Sequence, residues 1–309
     1  MKILIMGAGA LGSVFGGFLS NLNEVTLVGR DPHISKINRD GLRITGIWGE
    51  HLFSDLKAFI EVNEGIRTQD LIMITTKSYN TREAVEEIRP LVGENTLVMS
   101  MQNGIGNEET IADIVGMDKT AGGMAIFGAQ FVKPGHVKVT VYASECLVSP
   151  LNGDIEKAEE IAENFSKAGI PTLPSDDIVR DKWMKAFYNI ALNPLSAILK
   201  VRYGALGDHK ETKQVMRGLL DEAFEVAKAE GIKMKFSSEG YFKYLLEKQL
   251  PPTANHRSSM LQDIERGKKT EIDYLNGAIV ELGKKHQIKR PINKTIVNLI
   301  KVLEKPNSS

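Results

Sequence analysis

Lys185, Asn189 and Asn193 recur every fourth residue in the otherwise apolar segment Trp183-Met184-Lys185-Ala186-Phe187-Tyr188-Asn189-Ile190-Ala191-Leu192-Asn193-Pro194-Leu195. At about 100° per residue they share an arc of roughly 80° on one helix face. An ammonium and two amides beside apolar neighbours are costly to desolvate unless each finds a partner. A lysine placed there, its pKa lowered by partial burial, can serve as a proton donor. Pro194 has no N–H, so the Ile190 carbonyl loses its helical donor, and a kink or break is expected near Asn193. The same spacing also suits an amphipathic surface helix whose lysine reaches out to water.

A second set of residues carries a different chemistry. Lys2-Ile3-Leu4-Ile5-Met6 is a short apolar run that passes directly into Gly7-Ala8-Gly9-Ala10-Leu11-Gly12. Gly7 permits a tight strand-to-helix turn, Gly9 lets backbone touch a pyrophosphate, and Gly12 lets the helix lie close on the strand. Free N–H groups at the start of the helix that follows make an anion site. The next strand, Glu24-Val25-Thr26-Leu27-Val28, ends in Gly29-Arg30, where a carboxylate would favour NAD and an arginine favours the 2′-phosphate of NADP. Arg30 therefore points to NADP(H), although Asp31 follows it. Lys77 after Asp70–Thr76, and Asn103-Gly104 after Thr96–Ser100, stand at the carboxyl ends of two successive strands, where open α/β sheets bind ligands. Asn103-Gly104 also suits a plain tight turn.

The third set is Arg257-Ser258-Ser259-Met260-Leu261-Gln262-Asp263 and Thr270-Glu271-Ile272-Asp273-Tyr274. Ser258 suits a helix cap. Thr270 with Asp273 resembles a capping arrangement that would put Glu271 in a first helical turn, where a carboxylate is welcome.

The elements that must position these residues follow from periodicity. Strands alternate with helices up to about residue 119. Residues 120–149 read as strands with a Pro134-Gly135 turn, expected as an antiparallel extension of the sheet, and Asp154–Ala168 reads as a helix. Strand and breaker signals in 169–175 mark a boundary, giving domains 1–172 and 173–309. Beyond it, 177–199, 209–230, 238–248, 258–266, 270–286 and 294–304 suit helices, and the tail 304–309 reads as loose. The fold class is an α/β domain followed by an all-α domain.

Thirty-nine basic residues balance 39 acidic ones over 309 residues. A net charge of zero gives no electrostatic reason to expect nucleic acid or an anionic membrane as a partner. No apolar stretch reaches the roughly 18 residues of a membrane span. The single Cys146 excludes an intrachain disulfide and suits a small buried hydrophobe, so a reducing, cytoplasmic setting is the expectation. No metal site is read from the chain.

Taken together, in this order and spacing, these motifs resemble the ketopantoate reductase family. The resemblance covers nearly the whole chain. It implies an N-terminal Rossmann domain with a doubly wound, mostly parallel sheet, an all-helical C-terminal domain, and an active site in the cleft between them. It implies NADPH-dependent reduction of 2-dehydropantoate to pantoate. Carried over by position, Gly7, Ala8, Gly9, Ala10, Leu11 and Gly12 would cradle the cofactor and Arg30 would hold its 2′-phosphate. Lys77 and Asn103 would lie by its ribose and nicotinamide. Lys185 would be the general acid. Asn189, Asn193 and Ser259 would bind the substrate with it, and Glu271 would position Lys185 and contact the cofactor ribose.

The chain departs from the family pattern at Tyr203 and His256, each standing where an asparagine is usual, and in the glycine-poor hairpin Val137–Ala143. These departures leave the hydride chemistry intact and keep open a reductase of another small branched 2-oxo acid; a non-catalytic NADP(H) sensor is a separate alternative, against which the Lys185, Ser259 and Glu271 set argues. The oligomeric state is read as monomer or homodimer.

Overall fold

A computed structural model gives the fold and describes residues 1–305. Contacts divide the chain into two units. The first comprises Met1–Gln102 and Asn107–Val179, and the second comprises Asn103–Gly106 and the residues from Arg180 on.

The first unit opens with β1 (Lys2–Met6), α1 (Ala10–Leu19), β2 (Glu24–Val28), α2 (His33–Asp40), β3 (Leu42–Gly46), β4 (His51–Phe53) and β5 (Lys57–Phe59). It continues with β6 (Leu71–Ile74), α3 (Thr81–Ile88), β7 (Leu97–Ser100), α4 (Asn107–Val115) and β8 (Thr120–Met124). Then come β9 (Phe127–Lys133), β10 (His136–Tyr142), β11 (Cys146–Pro150), α5 (Ile155–Lys167) and β12 (Thr172–Pro174). The main sheet has the order β12-β11-β8-β7-β6-β1-β2-β5. Every pair in it is parallel except β8 with β11.

In β1 the side chains alternate between two cores, as strand geometry requires. Ile3 and Ile5 pack with Phe15, Leu27, Met73 and Phe165 on one face. Leu4 and Met6 pack with Ile72, Ile74, Val85 and Ile88 on the other. A sheet covered on both faces reads as continuous apolar runs, which is why β1, β6 and β7 were legible as strands.

The expected antiparallel extension over 120–149 is only partly realised. β8 continues parallel beside β7, and β11 returns antiparallel to β8. The hairpin β9–β10 instead leaves for a second sheet of order β4-β3-β10-β9, with β10 parallel to β3. Gly46 permits that pairing: at φ +114° it has no Cβ, and one built there would lie 1.9 Å from the Val139 carbonyl oxygen. The second sheet is held on α1 by aromatic edges. Phe18 meets Trp48 at 5.4 Å and Phe53 at 5.7 Å between ring centroids. Cys146 is buried in β11, as expected.

The helix α6 (Ile178–Leu199) begins in the first unit and runs into the second. It is followed by α7 (Tyr203–Asp208), α8 (Lys210–Ala229), α9 (Ser238–Tyr244), α10 (Ser259–Glu265), α11 (Asn276–Lys285) and α12 (Pro291–Leu303). No strand occurs among the described residues of this unit. The division by contacts falls at Val179/Arg180, where the sequence suggested 172/173. Thr172–Pro174 pairs with β11, and Ile178 fills the space left by the missing side chain of Gly122.

Three helical expectations change. Residues 245–249 form a wider π turn after α9. Residues 270–286 do not make one helix: a 3₁₀ turn at Ile272–Tyr274 ends at Leu275, whose φ of −114° and ψ of −103° are not helical, and α11 starts afresh at Asn276. Pro194 lies inside α6 without breaking it. Of the tail, Glu304 is not loose, because its carboxylate accepts hydrogen bonds from the Thr270 N–H and hydroxyl at 2.8 and 2.6 Å. Residues 306–309 lie outside the described residues.

Candidate active site

In the first unit the glycine turn has the geometry its spacing suggests. Gly7 sits at φ +111°, and a Cβ there would lie 2.6 Å from the Thr76 nitrogen at the end of β6. A Cβ at Gly12 would meet the Gly7 carbonyl oxygen at 2.4 Å and Thr75 Oγ1 at 2.5 Å, so α1 can lie on β1 only with glycine at this place. At Gly9 the nearest atom to such a Cβ is 3.9 Å away, so the outer side of the turn is open. No side chain caps α1. Its first N–H groups and positive dipole end are those of an anion-binding helix start, which fits a dinucleotide pyrophosphate.

Arg30 is exposed beyond β2. Asp31, the carboxylate that could have taken the ribose hydroxyls, instead accepts from the Ser35 N–H at 3.1 Å and the Ser35 hydroxyl at 2.7 Å. That carboxylate is therefore committed to the start of α2. Behind the turn, the Ser13 hydroxyl meets His33 Nε2 at 2.9 Å, and the Gly135 N–H donates to His33 Nδ1 at 2.9 Å. Burial lowers the His33 pKa to about 4, so the ring is neutral and Nε2 is its donor. This tie joins α1, α2 and the β9–β10 turn, and neither Ser13 nor His33 stood out in the sequence.

Half-buried Lys77 follows β6. The loop after β7 is braced by Gln102, whose amide donates to the Thr76 carbonyl and to Thr81 Oγ1, each at 2.9 Å.

In the second unit one pocket is lined by Asn103, Asn193, Ser259, Met260, Asp263, Glu271 and Leu275. Four of the seven are residues singled out from sequence, drawn from stretches remote from one another.

The pocket is built as follows. Gly104, at φ +90°, lets the 103–106 loop approach Tyr274 so closely that a Cβ would sit 2.5 Å from its carbonyl oxygen. That carbonyl accepts the Ile105 N–H at 2.8 Å. Ser258 is the helix cap expected of it: its hydroxyl oxygen accepts the Leu261 N–H at 3.0 Å and donates to the Asn193 carbonyl at 3.3 Å. The bond seats α10 on α6. Ser259 and Asp263, four apart on α10, then share one face. Asp263 was missed, although this spacing was visible. Thr270 accepts the Ile272 N–H at 3.2 Å, but Asp273 is not its capping partner, because the Asp273 carboxylate pairs with Lys301 at 2.5 Å.

Lys185 and Asn189, both half-buried, lie about two turns and one turn, respectively, before the buried Asn193 on α6 and outside that lining. Burial raises the pKa of two tyrosines near the stripe. Tyr188 is pushed up to about 12 and donates to Thr253 Oγ1 at 2.7 Å. Tyr203, buried in α7, is pushed well above its ordinary value, and its hydroxyl donates to Asn193 Oδ1. Tyr203 and His256, the two departures from the family pattern, touch each other: their ring centroids are 5.1 Å apart, and the Tyr203 N–H donates to the His256 carbonyl at 3.2 Å.

Known proteins bear on this architecture directly. The family model for ketopantoate reductase PanE/ApbA matches residues 3–153, and the model for its C-terminal part matches residues 177–304. The 2-dehydropantoate 2-reductase of Aquifex aeolicus is 41% identical, over 98% of this chain and 97% of the relative. That of Pyrococcus horikoshii is 39% identical, over 98% of each. Among solved structures, a PanE/ApbA family ketopantoate reductase from Ralstonia eutropha superposes with a TM-score of 0.88 at 32% identity, covering 98% of both chains. A D-mandelate dehydrogenase in ternary complex with NADH and anilino(oxo)acetate superposes with a TM-score of 0.90 at 31% identity, again over 98% of both. The α/β unit with its mostly parallel sheet and the helical unit are those of an oxidoreductase acting on a CH–OH group. The chain belongs to the ketopantoate reductase family, whose members reduce ketopantoate to pantoate.

Proposed function

We propose that this chain reduces the ketone of 2-dehydropantoate to pantoate with NADPH, Lys185 acting as the general acid, in the synthesis of pantothenate. The observation that carries this reading is the pocket in which Asn103, Asn193, Ser259 and Glu271 converge from separate stretches of sequence. When bound, the reduced nicotinamide supplies the hydride. The glycine turn and the first N–H groups of α1 hold its diphosphate, Arg30 holds the 2′-phosphate, and Lys77 and Asn103 contact the ribose and carboxamide side.

Negative charge grows on the ketone oxygen as the carbon accepts a hydride. The Lys185 ammonium stabilises that charge and delivers its proton from Nζ to the oxygen. Glu271 keeps Lys185 in its charged form and orients it. Asn189, Asn193 and Ser259 take the remaining polar groups of the substrate, leaving its ketone carbon exposed to attack. This is the work expected of the chain in the cytoplasm, as a monomer or homodimer.

A second reading keeps the mechanism and changes the acid. It draws on Tyr203 and His256, and on the likeness to a D-mandelate dehydrogenase. Following the loss of NADPH absorbance with 2-dehydropantoate and a panel of 2-oxo acids, each repeated with NADH, decides between them. The highest kcat/KM should fall to 2-dehydropantoate with NADPH. A clear preference for another acid replaces the substrate, and cofactor binding without turnover of any acid removes the reductase reading.

A further inference from the structure

The pocket-lining Asn193 has one end of its carboxamide already engaged. Its Oδ1 accepts the hydroxyl proton of Tyr203, whose side chain is 2% exposed and does not line the pocket. A buried phenol must place its proton on an acceptor, and Asn193 Oδ1 is the acceptor it has. Turning the amide over would set Nδ2 against the phenol oxygen and take away the acceptor of that buried proton, so the orientation is fixed by satisfaction of both groups. Nδ2 is then the end presented to the pocket. Tyr203 is itself held: its ring meets those of Tyr188 and His256 at 5.7 and 5.1 Å, and its N–H is bound to the His256 carbonyl.

We infer that Tyr203 is a positioning residue for substrate recognition, locking Asn193 so that the pocket offers an N–H donor and no amide acceptor at this point. The ligand oxygen that meets Asn193 is therefore an acceptor, as in the carboxylate or carbonyl of a 2-oxo acid. An amide in place of Tyr203 could itself donate or accept, and would leave the orientation of Asn193 open. The aromatic pair Tyr203–His256 thus removes that freedom and narrows what the pocket accepts. This rests on the reductase reading above.

A double-mutant cycle of Tyr203→Phe and Asn193→Ala in the full chain tests it, using the 2-oxo acid that wild type turns over best. Tyr203→Phe should raise KM for the acid about tenfold, with kcat changed less than about threefold and KM for NADPH unchanged, because only ground-state recognition is loosened. In the Asn193→Ala background the same substitution should change KM less than about twofold. Equal effects in both backgrounds, or an unchanged KM, overturn the inference. Asn193→Asp supplies an independent check that leaves Tyr203 its acceptor. It turns an anionic oxygen into the pocket and should raise KM for the anionic acid at least as much as Tyr203→Phe does, whereas an unchanged KM is incompatible with a donor at that place. If wild type turns over no acid, the reductase reading falls and this inference falls with it. A working wild type with a failed cycle overturns this inference alone.

Discussion

The Ile190 carbonyl, deprived of its helical donor by Pro194, accepts a hydrogen bond from Asn276 Nδ2 at 3.2 Å. Asn276 is fully buried at the start of α11, and the same nitrogen lies 3.0 Å from Asn293 Oδ1. Asn293 in turn donates to the Leu219 carbonyl at 3.2 Å and to the Glu222 carboxylate at 2.7 Å. α6 therefore passes through its proline unbroken because α11, α12 and α8 supply the polar partner that the helix lost. Asn276→Leu should leave the Ile190 carbonyl buried and unpaired and lower stability by about 2–4 kcal/mol, read as a fall in the urea midpoint at constant slope. Pro194→Ala, which restores the N–H, should change stability by less than about 1 kcal/mol, because the carbonyl is already satisfied.

On the proposed mechanism, Lys185→Ala removes the ammonium that would stabilise and protonate the ketone oxygen. We expect kcat to fall by about 10²–10⁴-fold, with NADPH affinity within about twofold of wild type. Steady-state rates and a fluorescence titration with NADPH check the two halves. Near-normal turnover would remove Lys185 from the chemistry.

The glycine turn separates folding from binding. A methyl at Gly12 collides with backbone and with Thr75, so Gly12→Ala should cost about 1–3 kcal/mol of stability. A methyl at Gly9 meets no atom nearer than 3.9 Å, so Gly9→Ala should fold with stability within about 0.5 kcal/mol of wild type. It should nevertheless weaken NADPH binding about tenfold or more, because on the proposed reading the methyl would occupy the side that receives the diphosphate. Thermal melts with and without NADPH distinguish the two variants.

Arg30→Ala should lower kcat/KM with NADPH about 10–100-fold, the loss of one charge-assisted phosphate contact, and alter the value with NADH less than about threefold. Equal losses with both cofactors would take the 2′-phosphate away from Arg30.

His33 gives a pH dependence of defined sign. Its pKa falls from an ordinary 6.5 to about 4 in the fold because burial penalises the charged ring. Below pH 6.5 the unfolded chain binds the proton that the folded chain refuses. Stability from this group is therefore fully present above about pH 6.5 and is lost as pH falls toward 4, by about 3 kcal/mol over that window. His33→Gln, which keeps hydrogen-bonding capacity at both ends, should lack this component. Urea unfolding of both proteins at pH 7 and pH 4.5 tests it: parallel losses in the two would exclude His33 as the source.

Much of the α/β unit was legible because its signals are local. The four-residue apolar run of β1 between polar Lys2 and Gly7, the end of β2 at Val28, and the Asp154 cap whose side chain accepts the Lys157 N–H at 2.9 Å each lie within a turn or a strand of sequence. The helices around 210–229 and 291–303 were also readable, since an amphipathic stripe repeats along them. The second sheet was not legible. β3 and β4 have only five and three residues, and β10 pairs with a strand about ninety residues earlier through the room left by Gly46.

By itself the sequence determined the chemistry on offer: a glycine turn that only glycine can make, an arginine after β2, and a lysine and two amides on one face of α6. These follow from covalent geometry and helical period, which act over a few residues. Only the tertiary structure decided which of them meet. Asn103, Asn193, Ser259 and Glu271 share a pocket, Ile190 finds Asn276 across 86 residues of chain, and Asn193 Oδ1 accepts the Tyr203 hydroxyl. The physical reason is that a buried polar group must be satisfied wherever the fold places a partner, and distance along the chain does not enter that requirement.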